Sequence, residues 1–168
     1  MKNRDHLPVF GVGPICVYLM VAFMAIGIVL RHRGYLDSGA VPGFRIPMCI
    51  AGVILVFSGA FLWVRAVIIS KVADEIVQGH LVTTGVYSMV RNPVYSGIAI
   101  ALTGISLFFY NLWFLLYPFL FWLDITLMMK YTEEKWLLGY FGEEYRDYCR
   151  RVNRCIPWHE RDNRGEKR

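Results

Sequence analysis

The sequence predicts an all-α integral membrane protein with about four transmembrane helices and a C-terminal interfacial helical segment. Of its 168 residues, 56% are hydrophobic and only 18% are charged. A soluble domain would carry about 25% charged residues. The mean hydropathy of +0.41 points the same way, and the length allows one domain.

Four apolar runs justify the predicted spans. They cover residues 11–30, 46–69, 95–110 and 112–129. A span needs roughly 20 apolar residues, so the third run is short. The first run follows Lys2 and Arg4 without a small-residue cleavage site, and we therefore expect a retained span. Only Asn111 separates the last two runs, which predicts a tight helical hairpin whose two ends return to one membrane face.

The segment after the hairpin predicts an interfacial helix. Apolar or aromatic side chains recur there at steps of three or four residues: Leu137, Phe141, Tyr145, Cys149 and Val152. Gly142 is expected to break this helix. We assign residues 1–158 to a single membrane domain and residues 159–168 to a disordered basic tail.

Charge predicts the orientation and the partners. Ten of the eighteen Lys and Arg residues lie in 130–168, and the turn at Asn111 has none. This places the carboxyl terminus in the cytoplasm, and four spans place the amino terminus there too. The expected location is a bacterial cytoplasmic membrane. Arg31, Arg33 and Arg45 in the first loop conflict with this orientation. The net charge of +5 indicates anionic lipid headgroups rather than nucleic acid as partner.

Cysteine and histidine usage predicts no metal site. Cys16 and Cys49 fall inside spans, Cys149 and Cys155 fall in the carboxyl-terminal part, and none has metal-type spacing. The four histidines are scattered along the chain.

Polar groups bracket the hairpin. Residues 80–95 read HLVTTGVYSMVRNPVY and open onto it, and Glu133 and Glu134 close it. We expect Asn92 to be the N-cap of the third span and Pro93 its first residue. Adjacent helical residues point about 100° apart, so Glu133 and Glu134 are expected to have different roles.

Asp124 is a carboxylate at membrane depth, where polar residues are costly and often functional. The alternative is a structural hydrogen bond between helices, to Arg65 or Lys130. The sequence leaves both readings open.

The second half of the chain resembles a known superfamily. Its order of motifs is Leu81-Val82, Gly85, Tyr87, Arg91-Asn92-Pro93, Tyr95, then Glu133-Glu134, Phe141-Gly142, Tyr145, Tyr148 and Arg154 to Pro157. This order and spacing resemble the isoprenylcysteine carboxyl methyltransferase and phospholipid methyltransferase superfamily of membrane enzymes.

The resemblance implies S-adenosylmethionine as methyl donor. The implied cofactor-binding residues are Gly79, His80, Leu81, Val82, Tyr87, Arg91, Asn92, Pro93, Val94, Tyr95, Glu133 and Glu134. A carboxylate such as Glu133 can accept charge-assisted hydrogen bonds from the donor's ammonium or hydroxyls. N–H groups at the start of the third span could hold its carboxylate. A tyrosine ring could face the sulfonium. No covalent intermediate is needed, so no catalytic residue is assigned.

Two departures from the superfamily pattern bear on the substrate. Asn92 replaces a histidine, which keeps hydrogen bonding but removes titration near neutral pH. Met129 stands where prenylcysteine members have a substrate-binding arginine, with Lys130 beside it. A methionine cannot replace an arginine that binds a carboxylate with two hydrogen bonds, which counts against a prenylcysteine carboxylate as substrate unless Lys130 or Arg65 substitutes. Asp124, Met129 and Lys130 are therefore the speculative substrate residues.

The acceptor stays open among an isoprenoid or other lipid, a phospholipid amine and a prenylcysteine-like carboxylate, entering from the bilayer. The competing hypothesis is a non-catalytic membrane transport or assembly protein that keeps the fold.

Overall fold

The computed structural model describes residues 13–69 and 79–157, and this part of the chain is helical. Its α-helices are α1 (Gly13–His32), α2 (Arg45–Val64), α3 (Pro93–Leu107), α4 (Tyr117–Tyr131), α5 (Glu133–Phe141) and α6 (Glu143–Arg151). Within these residues the only β-type pairing is two isolated bridges. The predicted all-α class is confirmed. The predictions for Lys2, Arg4 and the 159–168 tail lie outside the described residues.

The helices have the lengths of a membrane protein. Gly13–His32, Pro42–Ile68 and Leu112–Phe141 are each long and apolar enough to cross a membrane, and Pro93–Leu107 is a shorter apolar helix. At 1.5 Å per residue, α3 is about 22 Å long, against a hydrocarbon core of about 30 Å. The chain is an integral membrane protein, and α3 corresponds to the short third apolar run of the sequence.

Glycines let α2 and α3 pack backbone against backbone. α3 makes its most extensive interhelical contact with α2. A Cβ atom on Gly59 would lie 2.4 Å from the Gly97 carbonyl oxygen, and one on Gly104 would lie 2.6 Å from that of Gly52. The two helices run antiparallel. Because lipid provides no hydrophobic drive between helices, small residues that permit close approach stabilise such pairs.

Asn111 ties the hairpin turn to the first loop. Its side chain is buried. Its Nδ2 donates to the Leu36 carbonyl at 2.7 Å, and its Oδ1 accepts from the Trp113 backbone N–H at 2.9 Å. The loop 33–44 therefore lies at the same end of the bundle as the turn.

Two of the three arginines that conflict with the charge rule, Arg31 and Arg45, have aromatic partners at this end. The Arg31 guanidinium lies 5.7 Å from the centre of the Phe109 ring, and that of Arg45 lies 5.4 Å from the Tyr110 ring. These cation–π contacts give both arginines a local reason to be there. The orientation of the termini stays a prediction.

The opposite end of the bundle carries α5 and α6. α1 and α4 share a core that includes Cys16, Met20 and Phe121. Gly142 separates α5 from α6 with φ 61°, a left-handed conformation that glycine adopts at little cost. This confirms the predicted break, and it folds α6 back toward the start of α3.

Candidate functional site

The two ends of the hairpin meet. The Tyr95 hydroxyl donates to Oε1 of Glu133 at 3.2 Å. The Arg91 guanidinium lies 3.0 Å from Oε1 of Glu134. Residues 91–95, which read RNPVY and which we call the RNPVY turn, are therefore neighbours of the two glutamates, as the hairpin predicts.

Glu134 is the centre of a partly buried charge cluster. Arg154 binds it in a bidentate manner, with Nε 2.7 Å from Oε1 and Nη2 2.8 Å from Oε2. Arg91 binds it from the other side. The side chains of Arg91, Glu134 and Arg154 are 9%, 13% and 25% exposed. Bidentate guanidinium–carboxylate pairs are among the strongest and most directional hydrogen bonds. We call these three residues the Arg–Glu–Arg triad.

Glu133 differs from Glu134 although both lie in the first turn of α5. It is partly buried, and the described part of the chain gives it one side-chain hydrogen bond, from Tyr95. A carboxylate has about four lone-pair positions, so Glu133 keeps acceptor capacity for a ligand. The two glutamates make different contacts, in line with the different directions that helix geometry predicts for adjacent residues.

The segment after α6 lies against the turn before α3. The Arg91 N–H donates to the Asn153 carbonyl at 2.8 Å, and the Asn92 N–H donates to the Arg154 carbonyl at 3.3 Å. A parallel bridge joins Val90 and Asn153. These backbone bonds fix Arg91 and Arg154 on either side of Glu134.

Asn92 precedes α3 and Pro93 begins it, as predicted. The expected side-chain cap is not formed. Instead, Nδ2 of Asn92 donates to the Arg154 carbonyl at 3.1 Å, which directs the side-chain amide toward the segment after α6. The N–H groups of Val94 and Tyr95 belong to the first turn, where a helix supplies no intrahelical acceptor.

Tyr87 forms a wall close to Glu133. It is 9% exposed, and its carbonyl accepts a 2.6 Å hydrogen bond from the Tyr148 hydroxyl. Burial, and then the negative charge of Glu133, raises the pKa of Tyr87 to about 12. Its phenol therefore stays neutral at physiological pH.

The residues 79–82 lie beside this wall and beside α5 and α6. Gly79 has φ 82°, and a Cβ there would lie 3.5 Å from the Tyr140 hydroxyl. Leu81 packs with the buried Tyr145 and Tyr148. Val82 packs with the cluster that contains Tyr87, and His80 is exposed.

The three speculative substrate residues face different surroundings. Oδ2 of Asp124 accepts from the Cys16 thiol at 3.4 Å, so its partner is Cys16 where the sequence suggested Arg65 or Lys130. Met129 is fully buried in the core. The Lys130 ammonium lies over the Tyr131 ring, 5.6 Å from its centre. The structure does not bring these three side chains together.

Sequence reasoning missed the triad. In the sequence, Arg154 is noted only as the first residue of the last matching motif, residues 154–157. Its partner Glu134 lies 20 positions earlier in the chain. The available signal was charge: Arg91, Glu134 and Arg154 are charged residues next to the apolar hairpin, where an unpaired buried charge is costly.

The fold and the site together define a helical membrane protein with an acidic group held at one end of a hairpin. A family model described as phospholipid methyltransferase matches residues 46–144, which is more than half of the chain. The chain belongs to the phospholipid methyltransferase family. This confirms the superfamily that the motifs indicate.

Similar curated proteins carry related names. The "Probable protein-S-isoprenylcysteine O-methyltransferase" of Oryza sativa subsp. indica is 33% identical over 84 residues, or 49% of this chain and 44% of the relative. The Schizosaccharomyces pombe "Protein-S-isoprenylcysteine O-methyltransferase" is 35% identical over 78 residues, or 46% of this chain and 33% of the relative. The chain thus spans less than half the length of these relatives. No solved structure matches.

Proposed function

We propose that this protein transfers a methyl group from S-adenosylmethionine to a lipophilic or membrane-embedded acceptor. Glu133 carries the proposal: it is a partly buried carboxylate with spare acceptor capacity, bonded by Tyr95 at the end of the hairpin. Family membership supports the reaction class.

The residues present fit the chemical groups of this methyl donor. Glu133 would accept from its ammonium or ribose hydroxyls. The first-turn N–H groups of Val94 and Tyr95 would bind its carboxylate, since the positive end of the helix dipole favours an anion. The rings of Tyr87 and Tyr95 would line the adenine or the sulfonium.

The reaction needs little from the chain beyond positioning. When bound, S-adenosylmethionine supplies an electrophilic methyl group on its sulfonium. The chain's own task is to hold the acceptor atom in line with that methyl group and to exclude water. Buried Tyr87 and the apolar helices beside Glu133 exclude water. The neutral phenol of Tyr87 adds no charge to the site.

The Arg–Glu–Arg triad positions the site. It joins the turn before α3, the start of α5 and the segment after α6 through one carboxylate. Since Glu133 is the next residue to Glu134, a fixed Glu134 fixes the backbone of Glu133. Arg91 and Glu134 then position Glu133, and they do not contact the methyl donor themselves.

The acceptor is proposed to enter from the bilayer. The named relatives act on isoprenylcysteine, which makes a prenylcysteine-like carboxylate one candidate beside other lipids and isoprenoids. Met129 occupies a core position and offers such a carboxylate no hydrogen-bond donor. We place the donor site at the cytoplasmic end of the α3–α4 hairpin, with both termini in the cytoplasm.

Calorimetric titration of S-adenosylmethionine into detergent-purified protein tests the donor site. We expect saturable binding to the wild type and at least tenfold weaker binding to Glu133→Gln, because a charge-assisted hydrogen bond contributes about 1.5–3 kcal/mol. Glu144→Gln, an exposed glutamate in the first turn of α6, is the matched control and should bind as the wild type does. A folded wild type that does not bind would refute the proposal and favour a non-catalytic membrane protein.

The acceptor is identified with labelled donor. Incubation with methyl-labelled S-adenosylmethionine and total membrane lipid should transfer label to a lipid fraction. Label on protein instead would identify a prenylated protein carboxylate as acceptor.

A further inference from the structure

A groove on the outer side of α4 has the features of a second binding site. Two cavities of about 380 Å³ and 210 Å³ adjoin there, and Cys149 lines both. Trp122, Thr126 and Lys130 follow each other at four-residue steps on α4, so they share one face of that helix. α6 and the segment after it form the opposite wall.

One end of the groove is apolar and open to the membrane. Trp122 and Ile156 line the larger cavity, and their side chains are 40% and 58% exposed. Trp122 lies within the Leu112–Phe141 span. An apolar wall that faces the bilayer is suited to acyl chains rather than to a water-soluble ligand.

The other end of the groove is cationic. Among the described residues, Lys130, Lys135 and Arg146 line the smaller cavity, Arg91 and Arg154 line the larger cavity together with Trp122, and Glu134 is the only carboxylate that lines either. Glu134 serves two of the guanidiniums at once. Arg91 is nine-tenths buried, and its Nε has no hydrogen-bond partner in the described part of the chain. Two guanidiniums that share one carboxylate leave the partly buried triad with a net positive charge. Lys130 and Lys135 add exposed positive charge beside it, whereas Arg146 pairs with Glu143 outside the cavities.

The groove is separate from the proposed donor site. Glu133 and Tyr95 line neither cavity. Glu133 and Glu134 point about 100° apart around α5, so the first faces α3 and the second faces the groove. A molecule in the groove contacts Arg91 and Glu134, which we propose to position the donor site, and does not contact Glu133 or Tyr95.

We propose that this groove binds an anionic phospholipid, with its phosphate at the cationic end and its acyl chains along Trp122 and Ile156. Charge complementarity selects the headgroup, since exposed lysines beside a span attract anionic lipid. The exposed apolar wall selects a lipid over a free phosphate. Such a lipid would brace α4, α6 and the triad from the side opposite the donor.

Thermal unfolding in lipid–detergent micelles tests this site. Full-length protein is melted, with tryptophan fluorescence as readout, in phosphatidylcholine, in phosphatidylcholine with phosphatidylglycerol, and in phosphatidylcholine with inorganic phosphate. We expect the melting temperature to rise with phosphatidylglycerol only. Lys130→Gln/Lys135→Gln should lose at least half of that rise, and it should melt as the wild type does in phosphatidylcholine, because both lysines are exposed.

Arg150→Gln is the matched control. Arg150 is an exposed cation on α6 that pairs with Asp147 and lines neither cavity, so this variant should keep the full rise. Three results would overturn the proposal: no rise in the wild type, an equal rise with inorganic phosphate, or an undiminished rise in the double lysine variant. None of these outcomes depends on methyl-donor binding.

Discussion

Replacing Glu134 with glutamine should destabilise the protein more than any other conservative change of a glutamate in its described part. The substitution keeps the shape of the side chain and removes its charge. Two guanidiniums, 9% and 25% exposed, then lie beside a neutral amide. The bidentate bond from Arg154 is broken as well, because the amide nitrogen donates and cannot accept.

The magnitude follows from the burial of the triad. Removing one partner of a buried ion pair costs about 3–5 kcal/mol, since the charge left behind is uncompensated. Arg154 is one-quarter exposed, and water screens it in part, so the expected loss is about 3 kcal/mol, at the low end of that range. For a chain of this length, such a loss lowers the melting temperature by roughly 6–12 °C.

The assay is a thermal melt in one detergent, with a double-mutant cycle. Glu134→Gln/Arg154→Gln should cost less than the sum of the two single changes, because the second change removes a charge that the first left unpaired. Glu144→Gln, at an exposed position, should melt within about 1 °C of the wild type, as surface changes do. If Glu134→Gln melts like this control, the triad does not stabilise the fold and our account of it is wrong.

Two other predictions concern the membrane part. Gly59→Val places side-chain atoms against the Gly97 carbonyl and should lower the free energy of unfolding by about 1–3 kcal/mol in a thermal melt. The control Gly43→Ala, with no atom within 4 Å of its Cβ, should change it little. Equal melting temperatures of the two variants would refute backbone-to-backbone packing of α2 and α3. Asn111→Ala leaves the Leu36 carbonyl and the Trp113 N–H without their partner and should cost about 1–3 kcal/mol, and an unchanged melting temperature would contradict the role of Asn111 as the tie between loop and turn.

The apolar pattern predicted the helices because lipid tolerates only backbone that satisfies its own hydrogen bonds. The four runs, the hairpin at Asn111 and the break at Gly142 are local properties, and each is readable from a short window. The meeting of the RNPVY turn with Glu133 and Glu134 follows from the hairpin alone.

The partners of individual side chains were not readable in this way. Asn92 was expected to cap α3 and instead bonds the Arg154 carbonyl, and Asp124 bonds the Cys16 thiol. Both contacts join segments far apart in sequence. Residue propensity predicts which hydrogen bonds a side chain can make at a helix end or in a span. Which of them forms depends on the segments that pack against that side chain.

The bond made by Asn92 bears on the departure from the superfamily pattern. In this structure the side chain at that position donates one hydrogen bond to the Arg154 carbonyl. A neutral imidazole also carries one N–H donor, so both residue types can hold the segment that supplies Arg154 to Glu134. In this chain, asparagine therefore supplies the donor that holds the segment of Arg154 beside the start of α3. Compared with the superfamily pattern, asparagine at this position lacks a group that titrates near neutral pH.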